Sequence, residues 1–292
     1  MPKDKREVGF VGLGLMGLPM SRRLCSGNYI VTVWNRTKTK TSQALAAGAN
    51  LADSPSELAK RNSIVFLCLT DAEAVEDVLF RKDGIASGGP GKIIVDHSTI
   101  GPTAAKEFAT RLHEKHDIRY VDAPVTGGVI GATEGTLTIF AGGHASDIQT
   151  VRPALSLMSG RVLHMGGHGA GQTTKLCNQV MVMNTFVAMA EMLKLAENGG
   201  VDPTQIPDIL ADGFAASRVL ELFGKRMAHR DRKVTGRLTV AQKDLDLILA
   251  VGKQTSTKLP MCDTSSQLVR LAVSNGFGNQ DITSLIQVYD KV

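Results

Sequence analysis

The feature that most constrains the fold lies near the start of the chain, in the segment EVGFVGLGLMGLPMSRRL. A short apolar run over residues 8–11 is followed by three glycines, and a helical pattern then continues to Leu24. The glycines have the GxGxxG spacing of a turn that brings a dinucleotide pyrophosphate against the N–H groups of a helix N-terminus. We therefore predict that the turn binds the cofactor through Gly12, Leu13, Gly14, Leu15, Met16 and Gly17.

A regular alternation of strands and helices follows this turn. The segment YIVTVWN predicts a second strand, and further strands are predicted over residues 63–71, 92–100, 118–128, 135–143 and 161–166. Helical patterns lie between them near residues 39–47, 54–60, 72–79 and 103–115. Such alternation predicts an α/β domain, a Rossmann-type doubly wound and mostly parallel sheet covered by helices on both faces.

Ligands of such sheets bind beyond the carboxyl ends of the strands. The polar or small residues that follow the predicted strands are therefore candidates: Leu69, Thr70 and Asp71, then Ser98 and Thr99, then Thr126, Gly127 and Gly128. A threonine hydroxyl followed by two glycines can present backbone N–H groups to an anion such as a substrate carboxylate. The alternative for VTGG is a simple glycine-rich turn.

The end of the second strand bears on the choice between NAD and NADP. An NAD enzyme places Asp or Glu about 20 residues after the glycines, where the carboxylate binds the ribose hydroxyls. This chain has Asn35, Arg36 and Thr37 there, followed by Lys38 and Lys40. A guanidinium can bind a 2′-phosphate through two hydrogen bonds, so these residues favour NADP over NAD. Alternatively, Arg36 stacks on adenine, or the basic residues only begin a solvated helix.

The pattern changes in the second half of the chain, from strands and helices to helices alone. A long helix is predicted from about 170 to 198, where Asn198, Gly199 and Gly200 stop it, and its length would be roughly 40 Å. Later segments such as SRVLELFGKRMAH and VAQKDLDLILAVGKQ are also helical in pattern. We predict a dinucleotide-binding domain over residues 1–166 and an all-α domain for substrate binding and oligomerisation over 167–292.

Lys175 lies near the start of this very apolar helix, with Asn178 three positions later on the same face. A buried ammonium is costly unless it is paired or useful. Near the junction of the two predicted domains, this one could exchange a proton with a substrate oxygen while Asn178 orients the substrate or the lysine. The alternative is a lysine in the polar start of the helix whose ammonium lies in water.

Composition excludes several other classes of protein. The net charge of +5 is spread along the chain and aromatic residues make up 4% of it, which argues against a nucleic-acid partner. The most apolar stretch carries Asn184, Glu191 and Lys194, as expected of a buried helix and not of a membrane span. The four cysteines are far apart, which favours reduced thiols in the cytoplasm, and no histidine pair has a third ligand nearby for a metal.

Four motifs in the same order resemble those of the β-hydroxyacid dehydrogenases. They are GFVGLGLMGLPM, DAPVTGG with GATEGTLTIFAGG, GHGAGQTTKLCNQ and QKDLDLIL. The resemblance covers nearly the whole chain and is greatest to the branch of 3-hydroxyisobutyrate dehydrogenase and 2-hydroxy-3-oxopropionate (tartronate semialdehyde) reductase. It implies NAD(P)-dependent hydride transfer between a small β-hydroxyacid and its semialdehyde or oxo form. The apolar long helix and the helical second half separately favour a homodimer or homotetramer, because exposed apolar stripes associate.

The resemblance also implies roles for individual residues. Lys175 matches the catalytic general acid/base and Asn178 its partner. The substrate-carboxylate site matches Thr126, Gly127 and Gly128, although the family usually has serine first. Thr99 matches a residue near the nicotinamide ribose, Lys243 a lysine against the cofactor, and Ser217 a serine of the substrate loop, whereas Arg218 has no assignable role.

Two other functions remain as alternatives. The first is a dinucleotide-binding interaction domain without turnover, and relatives of that kind have lost the lysine. The second is an imine reductase of the same fold, in which Asp or Tyr usually replaces the lysine. Lys175 argues against both alternatives. The sequence leaves open which hydroxyacid is the substrate, the physiological direction, and the choice between dimer and tetramer.

Overall fold

The computed structural model describes residues 6–290, and its contacts divide the chain into two compact units, Met1–Lys175 and Leu176–Val292. The first unit is built on one sheet. Its strands are β1 (Arg6–Val11), β2 (Tyr29–Trp34), β3 (Asn50–Leu51), β4 (Ile64–Leu67), β5 (Ile93–Asp96), β6 (Arg119–Asp122), β7 (Val125–Thr126), β8 (Leu137–Gly142) and β9 (Ser159–Gly166).

The strand order is that of a doubly wound fold. Among the described residues the sheet runs β3-β2-β1-β4-β5-β6-β8-β7, and β9 pairs with β8. The neighbours from β3 to β6 are all parallel, whereas β8 is antiparallel to both β6 and β7. The predicted Rossmann-type, mostly parallel sheet is confirmed, with the reversal of strand direction confined to its last part.

Helices cover both faces of this sheet. They are α1 (Gly17–Ser26), α2 (Ser42–Ala46), α3 (Pro55–Arg61), α4 (Ala72–Phe80), α5 (Pro102–His116), α6 (Gly128–Glu134) and α7 (Ala145–Leu155). Successive strand residues point to opposite faces, so Phe10 of β1 packs in one hydrophobic core and its neighbour Val11 in the other. The sheet is therefore buried on both sides, which explains its nearly continuous apolar strands.

Strand β3 and helices α6 and α7 were not predicted from the sequence. Strand β3 has two residues and no apolar period. Helix α6 lies in the segment where a glycine-rich turn was the alternative, and it ends before Gly135, whose φ is +74°. Helix α7 contains Pro153, a residue that removes a helical hydrogen bond. Local propensity opposes α6 and α7, because glycines and proline disfavour helix formation.

The second unit is helical, as predicted. It begins within helix α8, which runs without interruption from Ala170 to Asn198 and therefore contains the boundary between the two units. The later helices are α9 (Ile206–Ile209), α10 (Arg218–Ala228), α11 (Leu238–Gln254) and α12 (Pro260–Ala272), followed by a 3₁₀ segment over Ile282–Tyr289.

Helix α8 provides much of the core of the second unit. Its side chains Phe186, Ala190 and Leu193 are buried together with Leu245 of α11 and Leu285 of the 3₁₀ segment. By length and composition α8 is the one described helix that could cross a membrane, and 44% of its most apolar window is buried inside the protein. Core helices of soluble proteins pass the same test.

Candidate active site

The carboxyl ends of five parallel strands form one row. Val11 of β1 is in register with Trp34 of β2 on one side and with Leu67 of β4 on the other. Leu67 is in register with Asp96 of β5, and Asp96 with Asp122 of β6. The residues that follow these five positions therefore lie along a single edge of the sheet. This edge carries the predicted glycine turn, Asn35 with its basic neighbours, Leu69 with Thr70, and Ser98 with Thr99.

The three motif glycines have different surroundings. A Cβ on Gly12 would lie 2.3 Å from the Cys68 carbonyl oxygen, and the φ of Gly12 is +96°. A Cβ on Gly17 would lie 1.9 Å from the Gly12 carbonyl oxygen, whereas a Cβ on Gly14 would have no atom within 4 Å. Gly12 and Gly17 thus let the turn pack closely on the protein, and Gly14 leaves open space beside the backbone.

The start of α1 can bind an anion. The first amide here to make a helical hydrogen bond is that of Leu18, which donates to the Gly14 carbonyl at 3.1 Å. Met16 makes no side-chain cap, and the first turn of α1 contains no acidic residue. The amides of residues 14–17 and the positive end of the helix dipole therefore fit the pyrophosphate of a dinucleotide.

Asn35 connects the glycine turn to the basic segment. Its Oδ1 accepts a hydrogen bond from the Leu13 amide at 2.8 Å, and its Nδ2 donates to the Thr37 carbonyl at 2.8 Å. Arg36 and Thr37 are exposed. Among residues 6–290 no carboxylate pairs with Arg36 or with the two lysines that follow it, so this cationic segment has no counter-ion from the described part of the chain.

The next two loops of the same edge are joined by a hydrogen bond. The Leu69 amide donates to Ser98 Oγ at 2.8 Å, which brings these two predicted cofactor residues together. The Asp71 carboxylate caps α4, because its Oδ1 accepts from the Ala74 amide at 2.8 Å. Asp71 therefore has a local structural role, and its cofactor role stays a prediction, whereas Thr70 is exposed.

The VTGG segment forms the end of β7 and the start of α6. Gly127 and Gly128 have φ values of +123° and +62°, which favour glycine at both positions. The first helical hydrogen bond is donated by Gly131 to the Gly127 carbonyl at 3.1 Å, so the amides before Gly131 have no helical partner. Both glycines are exposed and Thr126 is half-buried, so this turn can receive a small anion.

Lys175 is buried, with 9% of its surface exposed, in the second turn of α8. The alternative of a lysine whose ammonium lies in water is therefore disfavoured. Asn178 follows one turn later on the same face of the helix. Lys175 is the last residue of the first unit, Met1–Lys175, which also contains the glycine turn.

Within the second unit, Asn178 begins a chain of polar contacts. Its Nδ2 donates to Gln179 Oε1 at 2.9 Å, Gln179 Nε2 donates to Asp244 Oδ2 at 2.6 Å, and Lys243 Nζ lies 3.1 Å from Asp244 Oδ1. Gln179 and Asp244 are buried. Their sequence neighbours were predicted site residues, and only the fold shows that α8 and α11 are connected through them.

Ser217 has a structural partner in the same unit. As the N-cap of α10, its hydroxyl accepts a hydrogen bond from the Leu220 amide at 3.0 Å. Arg218, which the sequence left without a role, pairs with Glu221 on the same helix. The side chain of Phe214 is fully exposed in the segment before them.

Two buried residues of the first unit escaped the sequence analysis, Asp122 and Gln172. The Asp122 carboxylate accepts hydrogen bonds from the Gly169 amide at 2.8 Å and the Gln172 amide at 3.0 Å, so it caps α8 from the end of β6. Burial raises the pKa of Asp122 to about 6, although these hydrogen bonds act in the opposite direction. Asp122 lies in the motif DAPVTGG, but Gly169, whose amide it binds, is 47 residues away, so no local pattern predicts this contact.

The triad residue types at Asp96, His97 and Ser98 do not form a hydrolase site. Asp96 accepts from the Ser98 amide at 2.8 Å and from Tyr120 Oη at 2.7 Å, while His97 Nδ1 lies 2.7 Å from the Ala123 carbonyl oxygen. Burial lowers the pKa of His97 to about 4, so the imidazole is neutral. Over the described range 6–290, no cluster of three or more His, Cys, Asp or Glu side chains could hold a metal ion.

Comparisons with known proteins extend over both halves of the chain. A family model described as the NAD binding domain of 6-phosphogluconate dehydrogenase matches residues 7–167, and one described as NAD-binding of NADP-dependent 3-hydroxyisobutyrate dehydrogenase matches residues 169–289. The 2-hydroxy-3-oxopropionate reductase of Escherichia coli is 35% identical over 285 residues, which cover 97% of this chain and 97% of that protein.

Two further proteins are similar along nearly their whole length. A probable 3-hydroxyisobutyrate dehydrogenase-like mitochondrial protein of Arabidopsis thaliana is 35% identical over 98% of this chain and 94% of its own. The crystal structure of 3-hydroxyisobutyrate dehydrogenase from Salmonella typhimurium has a TM-score of 0.90 at 27% identity, covering 97% of this chain and 99% of that one. The similarity therefore includes the sheet, the glycine turn and the helical second unit.

Proposed function

The chain belongs to the β-hydroxyacid dehydrogenase family of NAD(P)-dependent oxidoreductases, and we propose that Lys175 is its general acid/base. The reaction interconverts a small β-hydroxyacid and its semialdehyde or oxo form. The observation that carries the proposal is a buried lysine on α8, one turn before Asn178. Burial of an ammonium is costly, and proton transfer to substrate gives this position a use.

When bound, the nicotinamide ring supplies or accepts the hydride. In reduction, Lys175 donates a proton to the oxygen on the carbon that receives the hydride. In oxidation the neutral amine accepts that proton, so we expect alkaline pH to favour oxidation. Asn178 holds the substrate oxygen or the lysine in line, and its own amide is oriented by Gln179.

We assign the substrate carboxylate to Thr126, Gly127 and Gly128. The two glycines have backbone conformations that expose amides, and the start of α6 adds unbonded N–H groups. Thr126 stands where relatives usually have serine, and its extra methyl group narrows the site. We therefore expect a short substrate of the type that 3-hydroxyisobutyrate dehydrogenase or 2-hydroxy-3-oxopropionate reductase uses.

NADP is the preferred cofactor in this proposal, over NAD. Asn35 is held by its hydrogen bond with Leu13 and repels no phosphate, whereas Arg36 and Thr37 are exposed beside it. On the same edge of the sheet, Leu69, Thr70, Ser98 and Thr99 line the path expected for the rest of the dinucleotide. Lys243 of the second unit is the further cofactor contact that the family resemblance assigns.

The test is a panel of 3-hydroxyisobutyrate, glycerate, threonate, serine and short semialdehydes, each offered with NAD and with NADP. We expect turnover of at least one β-hydroxyacid and a higher kcat/KM with NADP. Cofactor binding without turnover of any member would contradict the proposal and favour a non-catalytic dinucleotide-binding module. A cyclic imine is tested beside the panel, and its turnover without turnover of any hydroxyacid or semialdehyde would favour an imine reductase.

We also propose a homo-oligomer in the cytoplasm. Met181 and Leu195 expose apolar side chains on α8, and such surfaces tend to associate. All four cysteines are free thiols, as in a reducing compartment. Light scattering after size exclusion should give the mass of a dimer or tetramer, and a monomer at micromolar concentration would contradict this.

A further inference from the structure

One buried side chain, Gln172, joins two segments of the proposed active site. It is 0% exposed in the first turn of α8. Its Oε1 accepts hydrogen bonds from the Ile100 amide at 3.0 Å and the Gly101 amide at 3.2 Å, and its Nε2 donates to the Ser98 carbonyl at 2.8 Å. The side-chain amide thus fixes the loop that follows β5, which contains Thr99.

The same turn of α8 is fixed to the sheet. Asp122 at the end of β6 accepts from the Gln172 amide at 3.0 Å and from the Gly169 amide at 2.8 Å. A Cβ on Gly171 would lie 2.3 Å from the Phe140 carbonyl oxygen, and a Cβ on Gly142 would lie 2.6 Å from Asp122 Oδ1. The backbone at the start of the helix therefore packs directly against the sheet, without room for a side chain between them, and has little freedom to shift.

We propose that Gln172 is a positioning residue for hydride and proton transfer, because it keeps Lys175 at a fixed distance from the Ser98–Thr99 loop. It acts through these residues and touches neither substrate nor cofactor. The proposal rests on the proposed function, in which Lys175 transfers the proton and Thr99 lies near the nicotinamide ribose. Lys175 follows Gln172 by three positions, so the two lie on the same side of α8.

Hydrogen bonding makes this contact specific in a way that apolar packing would not. Three directional bonds define the position of the loop relative to the helix, and each is buried, so a partner left unpaired there costs the full desolvation of its polar group. A misplacement of about 1 Å between reacting groups can lower a rate about 100-fold. The loop and the lysine therefore form one unit for catalysis, although they are far apart in sequence.

The test compares Gln172→Met with a matched control in the same unit. Methionine has nearly the length of glutamine but makes none of the three side-chain hydrogen bonds. The control is Asn62→Leu, because Asn62 is also a buried amide, with its Nδ2 donating to the Leu58 carbonyl at 2.7 Å. Asn62 precedes β4 and so lies at the opposite edge of the sheet from the proposed site.

We expect both variants to lower the melting temperature but only Gln172→Met to lower kcat, by about 10- to 100-fold. Its KM should change much less than its kcat. The primary isotope effect on kcat, with substrate deuterated at the carbinol carbon, should rise because the chemical step becomes slower than product release. Gln172→Glu keeps the acceptor for Ile100 and Gly101 and should give an intermediate kcat; it carries the test if the methionine variant does not fold.

Two different failures can be told apart. If the unchanged protein turns over a hydroxyacid and Gln172→Met keeps a normal kcat and isotope effect, the positioning role is wrong and the proposed function stands. If the unchanged protein turns over no hydroxyacid, the proposed function fails, and the positioning role of Gln172 fails with it. An equal fall of kcat in Asn62→Leu would show a general effect of lost stability and would also overturn the inference.

Discussion

The residue type of Asn35 indicates compatibility with a 2′-phosphate, whereas its hydrogen bonds are known only from the structure. From the sequence, a neutral side chain at this position permits a 2′-phosphate. In the structure its amide group is bonded at both ends inside the protein, to the Leu13 amide and the Thr37 carbonyl. The Leu13 contact joins residues 22 positions apart, so no local pattern could predict it. In the proposed NADP complex, we therefore assign the contacts with the 2′-phosphate to Arg36 and the Thr37 hydroxyl.

Arg36→Ala should weaken NADP binding selectively. A hydrogen bond to a charged group contributes about 1.5–3 kcal/mol, so we expect the dissociation constant for NADP to rise about 10- to 100-fold. That for NAD should change little, because NAD has no 2′-phosphate. Fluorescence titration of both reduced cofactors measures this, with Lys60→Ala, an exposed charge on α3, as the control. An equal loss of affinity for both cofactors would indicate that Arg36 stacks on adenine instead.

Asp122 should give the stability of the protein a defined dependence on pH. Burial raises its pKa to about 6 from 3.8, so between these values the folded protein holds a proton that the unfolded chain has released. The free energy of unfolding contributed by Asp122 therefore falls as pH rises through this window. His97, with a pKa lowered from 6.5 to about 4, acts with the opposite sign in an overlapping window.

The variant Asp122→Asn separates the two effects, since it removes one titrating group and leaves His97. The free energy of unfolding of the variant minus that of the unchanged protein should increase from pH 4 to pH 6. Urea denaturation at several pH values measures this difference. A difference that stays constant with pH would mean that Asp122 does not titrate in this range.

At the scale of elements, the sequence predicted those helices and strands whose apolar pattern and end signals lie within one segment of the chain. The unit β1–turn–α1 was predicted because its apolar period and glycine spacing lie within one short segment. Helix α8 was predicted because glycines stop a long apolar pattern. Helices α6 and α7 were not predicted, since glycines and Pro153 oppose helix formation locally. The contacts that fix the start of α8 were not predicted, because they join α8 to distant strands.

The glycine turn offers a pair of substitutions with opposite outcomes. Gly17→Ala places its Cβ against the Gly12 carbonyl and should lower the melting temperature strongly. Gly14→Ala meets no protein atom within 4 Å, so the fold should remain stable. Its methyl group would occupy space needed by the pyrophosphate, and we expect cofactor affinity to fall about tenfold or more.

Melting curves with and without cofactor distinguish the two variants. For Gly14→Ala the melting temperature without cofactor should match that of the unchanged protein, while the increase caused by added NADP should be lost. If Gly14→Ala still gains the full stabilisation from NADP, the pyrophosphate does not lie against Gly14.

For the whole molecule, the order of motifs was more informative than any one motif. The glycine turn alone predicts a dinucleotide, and Lys175 alone leaves two interpretations open. Together with VTGG and QKDLDLIL they indicated the family, which the comparisons over both halves confirm. The sequence could not give substrate identity, because this depends on the volume of the substrate pocket, which the motifs do not specify.

The central claim is that the buried ammonium of Lys175 transfers the proton, and Lys175→Met tests it most directly. Single-turnover oxidation of NADPH by a semialdehyde substrate should slow by about 100-fold or more, the usual effect of removing a positioned general acid. The affinity for NADPH should stay within about twofold, and Lys258→Met, an exposed lysine after α11, should leave the rate unchanged. A single-turnover rate of Lys175→Met close to that of the unchanged protein would contradict the account.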